Sequence, residues 1–155
     1  MIRYNGVYSA FELNQAITTA DVLIELQVPA ATQIEILRMW CSAADNLVDD
    51  VQEIEIYGND GVATGGTALT EQEIQGQFDA ASGVTALGGP TIAATATTLY
   101  PDSFHLQNGW LYLPVPEERI RVVGGATIDN VGFRFHVAPG ASVTVSYGVT
   151  WGEIS

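Results

Sequence analysis

Few residues in this chain have the type and spacing that chemistry needs. The two histidines, His105 and His136, lie far apart, and neither belongs to a metal-ligand pattern such as His-Glu-x-x-His. His136 falls on the polar side of an alternating run beside Arg134, where a surface histidine is the simpler reading. Cys41 is the only cysteine, so no intramolecular disulfide forms. It sits in the apolar run Leu37-Arg38-Met39-Trp40-Cys41, which reads as a buried thiol and not a nucleophile. No Gly-x-Ser-x-Gly elbow occurs, and a chain without lysine cannot build a Walker loop. Gly65-Gly66 and Gly88-Gly89 match no phosphate-binding fingerprint.

The acidic residues form two clusters. Asp45, Asn46, Asp49 and Asp50 share one inter-strand loop, and Asn59-Asp60-Gly61 follows the next strand. Loop oxygens can hold calcium, which takes six to eight of them in flexible geometry. Neither cluster has the spacing of a known calcium loop, so solvated acidic loops are expected and no metal or cofactor is assigned. Eighteen acids offer many carboxylate pairs for glycoside hydrolysis, and the sequence singles out none as catalytic. Glu117 and Glu118 beside Arg119 and Arg121 read as local ion pairing after Pro116.

Charge and aromatic content point to binding instead. Eighteen acids face five bases for a net charge of −13, and every base is an arginine: Arg3, Arg38, Arg119, Arg121 and Arg134. Such a chain repels a phosphate backbone, which disfavours nucleic acid as a partner. The arginine fork suits fixed pairs and interfaces better than the flexible ammonium of lysine. These arginines are therefore expected to be engaged within the fold or with a partner. Trp40, Trp110 and Trp151 with Tyr57, Tyr100 and Tyr112 offer a possible sugar-stacking platform. Trp151 is in phase with an apolar wall and is expected in the core, whereas Trp110 has a looser context and is expected to be exposed.

The elements that would position these residues are strands. Val131, Phe133, Phe135 and Val137 alternate with Gly132, Arg134 and His136. After an Ala138-Pro139-Gly140-Ala141 turn, Val143, Val145, Tyr147, Val149 and Trp151 alternate with Thr144, Ser146, Gly148 and Thr150. A period of two gives strands apolar on one side, and the short turn predicts a β-hairpin. Further strands are expected in residues 2–13, in 21–28 with Val22, Ile24, Leu26 and Val28 on one face, and in 32–43 with Ile34, Ile36, Arg38 and Trp40 in one phase. Others are expected in 51–57, 110–113 and 120–123. Thr70-Glu71-Gln72-Glu73 either opens a short helix through Phe78 with a capping box or continues a strand. Residues 58–70 and 81–98 read as long loops or edge strands. About eight strands without βαβ alternation predict an all-β, single-domain β-sandwich over residues 1–155, of jelly-roll type. No apolar run approaches the length of a membrane span. The opening Met1-Ile2-Arg3-Tyr4-Asn5-Gly6 lacks the apolar core of a secretory signal, so a cytoplasmic product is expected.

The opening Met1 to Ala10, the segment Ala81-Ser82-Gly83-Val84-Thr85 and the closing Tyr147-Gly148-Val149-Thr150-Trp151-Gly152-Glu153-Ile154 resemble small virion proteins of tailed bacteriophages. The resemblance implies a non-enzymatic head decoration or cement protein, made in the host cytoplasm. Such a protein sits on the capsid surface, bridges major capsid protein subunits and associates with itself, with a homotrimer expected. Arg3, Tyr4, Tyr8, Arg38, Trp110, Arg119 and Arg121 are the expected interface residues. A carbohydrate- or receptor-binding module of the same virion, on a tail or fibre, is the alternative, and a jelly-roll hydrolase ranks behind both.

Overall fold

The structure, a computed structural model, describes residues 4–44, 50–61, 63–75, 81–92 and 96–154. Among the described residues twelve strands follow one another: β1 (Tyr4–Ile17), β2 (Val22–Gln27), β3 (Gln33–Ala43), β4 (Val51–Asn59), β5 (Thr67–Ala68), β6 (Gln72–Gln75), β7 (Thr85–Gly88), β8 (Thr97–His105), β9 (Trp110–Tyr112), β10 (Arg121–Val123), β11 (Asn130–Phe135) and β12 (Val143–Ile154). The first sheet runs β3-β12-β1-β6, with β9 and β10 both paired to the free side of β3. The second runs β5-β7-β2-β11-β4-β8, and all pairs are antiparallel. The protein is an all-β sandwich of two antiparallel sheets. Among the described residues, no helix is long and apolar enough to cross a membrane.

The expected inward phases hold for the strands with the cleanest alternation. Val22, Ile24 and Leu26 of β2, Val131, Phe133 and Phe135 of β11, and Val143, Val145, Tyr147, Val149 and Trp151 of β12 are all buried. The expected hairpin does not form. β11 pairs with β2 and β4, whereas β12 pairs with β1 and β3 in the opposite sheet. The two strands meet face to face across the core, where the rings of Phe133 and Tyr147 contact edge-on at 6.3 Å. Alternation fixes which face turns inward but does not choose the neighbouring strand. Val137 lies beyond the end of β11 and is exposed.

The phase expected for residues 32–43 is also corrected. Register against β12 slips between Ile36 and Arg38, so Leu37 is an extra residue that shifts the pleat. Ile34 and Ile36 point inward before the bulge; after it, Met39 and Cys41 do so, and Arg38 and Trp40 turn to the outer face. Residues 72–75 form a strand and no helix, while Phe78 lies outside the described residues. β6 extends the first sheet beyond β1, and β5 and β7 extend the second beyond β2. The Glu71 side chain joins these additions by accepting a hydrogen bond from the Ala86 N–H at 3.0 Å.

β8 was not foreseen at its full length, because nearly all of its residues are exposed and Pro101 stands in its middle. It is an edge strand, where proline is tolerated. Of the two acidic loops, Asp45, Asn46 and Asp49 lie outside the described residues. Asp60 is exposed as expected, but Asn59 is buried.

Candidate interaction face

The outer face of the first sheet carries a charged cluster centred on Glu35. Ile34 and Ile36 enter the core, so the intervening Glu35 of β3 points out, opposite Arg121 of β10 and Gly152 of β12. Its carboxylate is nonetheless almost wholly covered. Tyr4 of β1 lies across Gly152, where an added Cβ would collide with its ring, and its hydroxyl donates to Glu35 Oε2 at 2.7 Å. Arg119 Nη1 donates to the Tyr4 hydroxyl at 2.7 Å and stands 3.7 Å from Glu35 Oε2. Arg121 holds Glu35 Oε1 through Nε, at 3.2 Å, and through Nη2. Burial pushes the Glu35 carboxyl up, but the hydrogen bonds from Arg121 and Tyr4 and the charges of Arg121 and Arg119 outweigh it and hold the pKa below its ordinary value.

Beside this cluster runs an apolar row. Register aligns Phe11 of β1, Gly148 of β12, Trp40 of β3 and Leu111 of β9 across the sheet. Gly148 has no side chain, and the Trp40 indole and Phe11 occupy the space a Cβ would need. Phe11 stays 49% and Leu111 55% exposed. Leu113, Val115 and Val123, in and around β9 and β10, are exposed as well. The next outward row places Arg38 opposite Thr150. Arg38 is exposed and makes no ion pair among the described residues. Together with Trp40, Ser42, Asn108 and Leu111 it borders an open groove of about 330 Å³.

Of the expected interface residues, Tyr4, Arg119 and Arg121 converge on Glu35, and Arg38 lies on the same outer face. Arg3 lies outside the described residues. Tyr8 and Trp110 are corrected to core positions. Tyr8 is buried against Trp151, with ring centroids 5.9 Å apart. Trp110 is only 6% exposed, packs against Phe133 at 5.5 Å and donates its indole N–H to Asp102 at 3.0 Å. Alternation places both inside, and the polar neighbours that made them look superficial point outward. Local pairing of Arg119 and Arg121 with Glu117 and Glu118 is replaced by the long-range pairing with Glu35. The sugar platform does not assemble either: Trp151, Trp110, Tyr57 and Tyr112 are buried, and exposed Tyr100 lies on β8 of the other sheet from Trp40. Cys41 is buried, and burial pushes its thiol up to about 12.

Sequence reasoning missed Glu35, Phe11 and Leu111. A signal for them exists in β12, whose outward phase carries Gly148 and Gly152 among Thr and Ser. Glycine inside a strand marks a close approach by a neighbouring group, here an indole and a phenol.

The second sheet carries a comparable network. Glu55 of β4 accepts from Arg134 Nε at 2.5 Å and Thr98 Oγ1 at 2.6 Å, with His136 Nδ1 3.3 Å away. Burial raises its pKa less than the hydrogen bonds from Thr98, Arg134 and His136 lower it, so its carboxyl also sits below the ordinary value. Arg134 lies over the Tyr57 ring, 5.5 Å from its centroid. Arg119, Arg121 and Arg134 are thus engaged within the fold, and Arg38 makes no ion pair among the described residues.

No protein family, curated protein or solved structure matches this chain.

Proposed function

We propose that this chain is a structural protein of a bacteriophage virion that decorates and stabilises the capsid by bridging major capsid subunits. The single observation that carries this reading is the outer face of the first sheet. There an apolar row, with Phe11 and Leu111 exposed about a half-buried Trp40, adjoins Arg38, which makes no ion pair among the described residues, on a chain of net charge −13. Apolar anchors beside a desolvatable arginine are the composition of an interface core. The partner surface is apolar with an acidic group opposite Arg38.

The wiring of the sandwich is compatible with this role. Setting aside β5 to β7 and counting β9 and β10 as one visit, the chain visits the sheets in the order first, second, first, second, second, first, second, first. The spatial orders are β1-β12-β3 with β9 and β10, and β2-β11-β4-β8. We read this as a jelly roll, an architecture shared by viral capsid domains and lectins. The protein acts as a homo-oligomer, with a trimer at a local three-fold axis as the expected state.

The test is the mass of the purified chain in solution, followed by co-sedimentation with undecorated capsids. A stable oligomer that pellets with shells in stoichiometric amounts supports decoration, and a monomer that stays in the supernatant overturns it. One observation favours a second reading. The half-buried Trp40 borders a groove that also offers Arg38, Ser42 and Asn108, an aromatic face with polar groups of the kind a sugar ring engages. Glycan-array binding without capsid binding would assign the chain to receptor recognition instead.

A further inference from the structure

Four glutamates lie in the strands of the first sheet, and three of them turn away from its outer face. Glu12 accepts from the Tyr147 hydroxyl, and its carboxylate fills the space a Cβ would need at Gly88 of the second sheet. Glu153 accepts from the Ser82 hydroxyl at 2.6 Å and the Gly83 N–H at 3.0 Å, in the segment that enters β7. Glu73 stands opposite Tyr8, whose side chain is in the core. The fourth, Glu35, faces outward but is covered by Tyr4, Arg119 and Arg121. Arg38 and Arg121 point outward and Arg119 folds over the same face, so three arginines meet one glutamate there. Glu117 and Glu118 are exposed in the turn before Arg119, at the edge of that face. The chain's other seventeen acids have only Arg3 and Arg134 against them. A protein of net charge −13 thus carries one face with a surplus of positive charge.

That surplus is not used up within the fold. Arg38 makes no ion pair among the described residues. Arg121 holds Glu35 through Nε and Nη2, and its side chain stays nearly half exposed. Between the arginines and Phe11 lie the hydroxyls and glycines of β12, from Ser146 to Gly152, and no carboxylate. Guanidinium donors beside exposed Phe11 and Leu111 suit carboxylates set in an apolar surround, which is the composition of a protein surface. A phosphate backbone would meet the charges and leave the apolar row bare.

The placement of the surplus decides what a partner feels. The sheets of a sandwich pack about 10 Å apart. At about 0.01 M salt the screening length is about 30 Å, so an acidic partner meets the field of the whole chain and is repelled. At about 0.15 M it is about 8 Å, so the acids of the far sheet are screened and the near face attracts. At about 1 M it is about 3 Å, and that attraction is lost as well.

We propose that the outer face of the first sheet docks on an acidic, partly apolar protein surface in one orientation, with the second sheet turned away from it. The inference rests on the decoration reading for the identity of that surface as a capsid, and it adds the charge of the contact and its salt window. Complementary charge fixes the orientation, because the opposite sheet repels the same surface.

The probe is a random copolymer of glutamate and tyrosine, which carries carboxylates and apolar rings. It is titrated against the full chain at about 0.01, 0.15 and 1 M sodium chloride, the three screening regimes, with backbone amide shifts locating the contact. Binding is expected to be strongest at the middle concentration, about fivefold weaker at either extreme, and to shift first-sheet residues alone. Arg38→Glu should weaken it about fivefold at the middle concentration. Glu53→Gln with Asp60→Asn, at exposed positions on and just after β4, should strengthen binding at the lowest salt and leave the middle value unchanged. Affinity that falls steadily from the lowest salt, shifts on the second sheet, or no binding at any salt overturns the proposal. A DNA fragment bound as tightly as the copolymer overturns the choice of a protein surface. Copolymer binding on the first sheet without co-sedimentation with capsids supports the proposal and overturns decoration.

Discussion

The Tyr4 hydroxyl donates to Glu35 Oε2 at 2.7 Å across a strand to which neither residue belongs. Tyr4 is on β1, Glu35 on β3, and β12 runs between them with Gly152 beneath the phenol ring. The second sheet repeats the device. Tyr57 of β4 reaches over Gly132 of β11 to donate to Glu25 Oε2 of β2, also at 2.7 Å. In each sheet a glycine in the central strand opens a passage, and a tyrosine bridges to a buried glutamate on the far side.

This arrangement makes the two glycines sensitive in different ways. The nearest atoms a Cβ at Gly152 would meet are all of the Tyr4 ring, whereas one at Gly132 would meet the Ile24 carbonyl oxygen as well as the Tyr57 hydroxyl. Gly152→Ala and Gly132→Ala are each expected to cost about 1–3 kcal/mol of unfolding free energy. In a double-mutant cycle the cost at Gly152 should largely vanish in a Tyr4→Ala background, while the cost at Gly132 should persist in Tyr57→Phe. Denaturant unfolding of the parent and the six variants checks this, and equal rescue at both sites would contradict it.

The two glutamates should shape the pH profile in opposite senses. The Glu35 carboxyl in the folded protein lies below its ordinary value of 4.5, so its stabilisation is complete above that value and is lost as pH falls through the lower folded one. Glu25 lies above 4.5 in the folded state, so folding favours its neutral form. Its contribution is complete below 4.5 and drains away as pH rises through the folded value. Glu35→Gln is expected to flatten the acid limb of the stability curve and Glu25→Gln the limb above it. Unfolding free energy measured across pH separates the two, and identical profiles for both variants would refute the assignment.

The tryptophans differ in the same quantitative way. Trp110→Ala opens a cavity against Phe133 and Tyr112 and leaves Asp102 without its indole donor, so a loss of about 3–5 kcal/mol is expected. Trp40→Ala, on the outer face, should cost about 1 kcal/mol. Thermal or chemical unfolding ranks them, and a larger loss at Trp40 would reverse the placement of core and face.

Arg38→Glu and Leu111→Asp alter the outer face of the first sheet without touching a buried group. Each is expected to leave the fold within about 0.5 kcal/mol of the parent and to reduce capsid co-sedimentation more than tenfold. Retained binding in both variants would move the docking surface off this face.

The inward faces of β2, β11 and β12 were legible in the sequence because each alternates without interruption. Partners were less legible. The same alternation that identified Val131–Phe135 and Val143–Trp151 as strands suggested that they pair, when they face each other across the core. A single extra residue, Leu37, reversed the phase of β3 and moved Trp40 outward. β8 left no periodic trace because it lies at an edge with most of its residues in water. The Glu35 cluster was hidden for a different reason. Tyr4 and Arg121 stand 31 and 86 positions from Glu35, and only the pairing of β1, β12, β3 and β10 brings them together.

The last of the described strands is also the keystone of the first sheet. β12 occupies the place between β1 and β3 and pairs with both along nearly their whole length, from Tyr4 opposite Ile154 to Ile17 opposite Val143. A nascent chain that has not reached residue 143 therefore holds two long strands separated by an empty lane, with their apolar faces unable to close. Such distant pairing folds slowly and leaves unpaired edges exposed while it waits. Chains stalled before residue 143 should stay sensitive to protease, and resistance should appear only once residues 143–154 have emerged. Assembly of this sandwich is thereby deferred until translation has passed β12.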